Sequence, residues 1–91
     1  MALTRGGFRH YDSDRGVVLF TMTNAATEVA CAISSAAMDD LDGSTGTKPA
    51  QREEQFLRHR DRIEERASRK FVDAELEGRP PGVILRTVDF R

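Results

Sequence analysis

A chain of 91 residues, 38% hydrophobic and 32% charged, holds enough apolar material for one modest core and too much for a disordered chain. Its net charge of −1 exerts no global pull toward nucleic acid or anionic lipid, and a single cysteine, Cys31, excludes a scaffold of internal disulfides. The longest aliphatic and aromatic run, Val17 to Phe20, is far short of the roughly 20 residues of a membrane helix, and Met1 to Gly7 lacks the apolar stretch of a signal peptide, so the sequence reads as cytoplasmic.

Residues 1–7 read as a flexible tail, and 8–91 as a single α+β domain. Phe8 to Tyr11 is a short strand candidate, and Asp12-Ser13-Asp14-Arg15-Gly16 is a cluster of turn formers. Val17 to Thr23 is β-branched and aromatic, with Val18, Phe20 and Met22 on one side of the pleat. After a turn at Asn24 to Thr27, Glu28 to Ile33 alternates so that Val29, Cys31 and Ile33 fall together. These three segments predict an antiparallel meander with one face to be covered.

Ser34 suits the N-cap of a short helix over Ser35 to Asp42, with Met38 and Leu41 inward and Gly43 as its stop. Gly43 to Thr47 reads as a flexible loop. A long helix is predicted from Pro49 to Glu77, halted by Gly78 and Pro80-Pro81, and Val83 to Phe90 as a last strand. The order β-β-β-α-α-β implies two layers, an antiparallel sheet with both helices on one face.

Chemical motifs fare poorly. Asp12-Ser13-Asp14 would need a closing Glu to bind calcium, and the twelfth position of that loop is Thr23. Gly43 to Lys48 has the wrong glycine spacing for a phosphate loop. Cys31, His10 and His59 are too few and too scattered for a zinc site, so no metal or other cofactor is expected. Ser34 is better used as a cap than as a nucleophile, and no acid–base constellation is evident, so the chain reads as non-catalytic.

The long helix says more. Phe56, Ile63 and Ala67 form a narrow apolar seam with Phe71 at its edge, and Arg60 lies inside that seam. A buried arginine needs a carboxylate, and Asp89 in the last strand is the best-placed candidate for an ion pair with Arg60. Arg58, Arg62, Arg66 and Arg69 share one flank, a stripe that either solvates the helix or receives an anion. It has no interleaved aromatics, which disfavours nucleic acid as the partner. The halves of the chain differ in charge: residues 1–47 carry three basic residues against six acids, and residues 48–91 eleven against nine.

Residues 49–77 as one helix would span about 43 Å, against a diameter of roughly 30 Å for a domain of this size. The helix must bend, break or overhang. Its final turns carry Phe71, Val72 and Leu76, an apolar patch that predicts a homodimer unless the last strand folds back over it.

At Cys31-Ala32-Ile33-Ser34, at Phe56 to Arg60 with Ile63 and Ala67, and at Leu85 to Phe90, the chain resembles the small bacterial proteins grouped as domain of unknown function 1488. The likeness runs from about Tyr11 to Phe90 and rests on the succession of segments. It implies a compact two-layer fold and supports the element order above. It implies no activity, cofactor or catalytic residue. Ala25-Ala26 stands where that family's pattern leads one to expect a glycine-containing turn.

Overall fold

The computed structural model describes residues 3–43, 47–73 and 82–90. Strands β1 (Thr4–Asp12), β2 (Val17–Asn24) and β3 (Thr27–Ser34) form the antiparallel meander that alternation predicts. Val18, Phe20, Met22, Cys31 and Ile33 all point into the core and are at most 2% exposed. The first turn is organised by Asp12, whose Oδ1 accepts the N–H groups of Asp14 and Arg15. This is the short-range bonding expected of Asx turns. In the second turn Ala25 takes φ 56°, a left-handed backbone that costs a non-glycine residue about 1–2 kcal/mol.

β1 is longer than expected. Thr4 to Gly7, read as part of a loose tail, are its first half, and Leu3 before them is buried with its N–H on Ser68 Oγ. The sequence hid this because Gly6-Gly7 looks like a strand breaker. Gly6 instead permits close approach: a Cβ there would sit 2.3 Å from the Thr21 carbonyl oxygen.

Helix α1 (Ser35–Asp42) has the predicted caps, with Ser34 Oγ accepting from Ala37 N–H and Gly43 left-handed at φ 67°. A 3-10 turn at Pro49–Gln51 leads into α2 (Arg52–Arg58). Helix α3 (Arg60–Val72) follows after a break at His59. The predicted single helix is therefore divided. A straight rod of that length exceeds the molecule's longest dimension of 35 Å, and neither Pro nor Gly marks the break. Contacts on either side hold it: His59 Nε2 lies 2.8 Å from Asp42 Oδ1, and Arg60 donates to the Gly6 carbonyl. The bend lets Phe56, Ile63 and Ala67 all reach the sheet, each fully buried. Residues 74–81, which include the predicted helix end and its Gly and Pro stops, lie outside the described residues.

β4 (Val83–Leu85) pairs with β3 in parallel, giving a four-stranded sheet in the order β1-β2-β3-β4. The sheet is thus mixed rather than antiparallel throughout. Only a short hairpin forces antiparallel pairing, and the connection from β3 to β4 contains all the helices. The predicted last strand also stops early, and residues 87–90 form a 3-10 turn. Its cause is Asp89, whose Oδ2 accepts Arg86 N–H at 2.7 Å while its own N–H donates to Arg86 O.

Candidate anion-binding cleft

Helix α3 turns Ile63 and Ala67 inward, which fixes the direction of everything else on it. Arg62, Arg66 and Arg69 follow at spacings of four and three, so they share one face. Opposite them lies the 87–90 turn, pinned by Asp89. Arg66 Nε donates to the Asp89 carbonyl at 2.7 Å and its Nη2 reaches Oδ1 at 3.5 Å. Lys70 Nζ, almost buried, donates to Ile84 O at 2.7 Å and to Asp89 Oδ2 at 3.3 Å. Burial alone would raise the Asp89 carboxyl, but the Arg86 N–H, Lys70 and Arg66 outweigh it and hold the group below its ordinary value.

Between helix and turn opens a cleft of about 480 Å³, lined by Arg62, Arg66, Arg69 and Glu65 on one side and Val88, Asp89 and Phe90 on the other. Arg62 and Arg69 make no ion pair with any of the described residues. Arg66 Nη1 is buried and has no hydrogen-bond partner among them.

Three of the four arginines of the predicted stripe are therefore gathered at one cleft. Arg58 is not: it pairs with Asp42 at 2.8 Å and with Glu54 at 3.4 Å. The proposed Arg60–Asp89 pair does not form. Arg60 lies at the other end of α3, where its Nε donates to Glu64 Oε2 at 2.9 Å, and Asp89 is taken by Lys70 and Arg66. The assignment failed because it treated Val83 to Phe90 as one strand, whereas residues 87–90 turn and put Asp89 against Lys70 and Arg66. Since Glu64 also holds Arg5 at 2.7 Å, losing Arg60 strands no buried carboxylate. Arg60→Ala should cost only about 1–2 kcal/mol in a urea melt, the worth of a partly exposed charged hydrogen bond.

Of the predicted self-association patch, Phe71 packs against the core while Val72 is 52% exposed. Leu76 lies outside the described residues.

A second polar cluster escaped the sequence reading. Asp39 of α1 accepts from Thr47 Oγ1, Arg52 Nη1 and Gln55 Nε2 at 2.8–3.0 Å, and the Arg52 guanidinium stacks 5.2 Å from the Tyr11 ring. Arg52 is 6% exposed and Gln55 fully buried. The available signal was Arg52, one turn before Phe56 on the same side of the helix. Asp39 of α1 meets Arg52 and Gln55 of α2 here, which makes the cluster a clasp between the two helices.

Other expected features have bland surroundings. Burial pushes the Cys31 thiol up to about 12, so it is no nucleophile at neutral pH. Among the described residues no three His, Cys, Asp or Glu side chains group to hold a metal ion, and no helix is long and apolar enough to cross a membrane.

The architecture, a four-stranded mixed sheet with its helices on one face, defines a two-layer α+β protein. Residues 5–80 match the family described as protein of unknown function (DUF1488), and the chain belongs to that family. A crystal structure of a DUF1488 protein of unknown function from Shewanella loihica PV-4 is similar in fold, with a TM-score of 0.77, 17% identity and 93% of each chain covered. No curated protein matches the sequence.

Proposed function

We propose that the protein is a non-catalytic interaction module of the cytosol whose recognition surface is the cleft between α3 and the 87–90 turn, where it takes an anionic group. The observation that carries this reading is the pair of guanidinium groups, Arg62 and Arg69, that have no ion-pair partner among the described residues and lie on either side of Arg66. Arginine presents donors in a planar fork that fits carboxylate and phosphate oxygens, and a walled site strengthens each such bond. Four of the groups that could do chemistry are otherwise occupied. Ser34 caps α1, the Cys31 thiol is buried, and Asp39 and Asp89 are held ionised by structural partners, which disqualifies them as proton donors near pH 7.

The test is an NMR titration with inorganic phosphate. Amide shifts should concentrate at residues 62–69 and 88–90, with weak affinity, and the Arg62→Ala/Arg69→Ala protein should bind about tenfold more weakly, a loss of ~1.4 kcal/mol. Shifts elsewhere, or undiminished in the double variant, overturn the reading.

Val72 favours a second reading, self-association through the end of α3. It stands beside Leu3 and Met22 in an open groove of about 830 Å³. Light scattering across a concentration series should then show a dimer that Val72→Asp renders monomeric and still folded. A wild-type protein that stays monomeric at high micromolar concentration refutes it.

A further inference from the structure

We infer that the cleft's occupant is an acidic segment of a partner protein that also presents an apolar side chain, a proposal that rests on the anion-binding reading above. The cleft is two-sided in chemistry. Its α3 wall offers guanidinium groups, while its opposite wall ends in Val88, 67% exposed and the most exposed large hydrophobic among the described residues, with half-buried Phe90 beyond it. A free phosphate or a small carboxylate would use the first wall and leave the second in water. Only a ligand with charged and apolar groups side by side uses both.

Charge argues against a long polyanion. The lining includes Glu65, exposed and without an ion-pair partner among the described residues, and Asp89, so the three arginines leave a surplus of one positive charge. Arg58, which would have lengthened the basic track, is drawn off by Asp42 and Glu54. A continuous phosphodiester chain would have to pass Glu65, whereas a peptide places its carboxylates singly. The spacing suits an extended peptide. Arg62 and Arg69 are seven residues apart, about 10.5 Å along the axis, and three residues of a strand span about 10 Å. Carboxylates along one edge of such a peptide can meet both arginines, and an apolar side chain pointing the other way meets Val88. The volume fits a few side chains, at the lower part of the roughly 300–1,000 Å³ typical of ligand sites.

The probes are a short fluorescein-labelled peptide alternating aspartate with leucine, its counterpart alternating aspartate with serine, and a labelled oligothymidylate of equal charge, each followed by anisotropy at physiological salt. The leucine peptide should bind about tenfold more tightly than the serine peptide, as expected for covering one exposed valine. Val88→Ser, at an exposed position where folding is readily checked by circular dichroism, should bring the two peptides to parity. Equal binding of both peptides by the wild-type protein overturns this proposal but leaves the anion site standing. Tighter binding of the oligothymidylate overturns it in favour of nucleic acid. Failure of the peptides together with inorganic phosphate overturns the underlying anion-binding reading itself.

Discussion

Asp89→Ala should lower the stability of the protein by about 3–5 kcal/mol in urea melts, because it leaves Lys70, whose side chain is only 9% exposed, without this counter-charge. The same change frees Arg86 N–H and removes Asp89 Oδ1 from Arg66, so the 87–90 turn should loosen and the cleft with it. Asp89→Asn, which keeps size and some hydrogen bonding, should cost less and serves as the control for charge. The carboxyl is held below its ordinary value of 3.8 in the fold, as is that of Asp39, where Gln55, Arg52 and Thr47 outweigh burial. Carboxyls depressed in this way add stability above the unfolded value, and that contribution is lost as pH falls through the folded one. The wild-type protein should therefore weaken progressively below about pH 4, and Asp89→Asn should flatten that part of the curve.

Phe56→Ala should cost about 3–5 kcal/mol, the range for deleting a buried aromatic ring. Phe56 is fully buried and lies 5.1 Å from the Phe20 ring and 5.8 Å from that of Phe8, joining α2 to two strands. Phe56→Leu, which fills most of the space, should lose markedly less. Equal losses for the two would mean that the ring contacts, and not the cavity, dominate.

Alternation and capping were enough to place β2, β3 and α1, since each is set by residues that are neighbours in sequence: Val18, Phe20 and Met22 at period two, and Ser34 with Gly43 at the helix ends. What could not be read depended on distant partners. The break at His59 is held by Asp42 and Gly6, which no local pattern connects to it. The parallel pairing of β4 follows from the path of the intervening helices. For the cleft, the arginine stripe was legible at helical spacing. Its closure by Val88 and Phe90 was not, because the β-rich sequence of residues 83–90 conceals the turn that Asp89 imposes.

The parallel contact of Cys31, Ala32 and Ile33 with Val83, Ile84 and Leu85 has a kinetic consequence. It joins segments about 50 residues apart, and the entropic cost of closing so large a loop falls early while its reward comes late. The meander and helices can assemble from nearer contacts first. β4 and the turn that follows it should then dock last in refolding and detach first under mild denaturant, in the least protected cooperative unit. Amide exchange at residues 84–90 should accordingly outpace that of β2. Until residues 83–90 have docked, the arginines of α3 stand on an open helix face, so the cleft comes into being only with that last step.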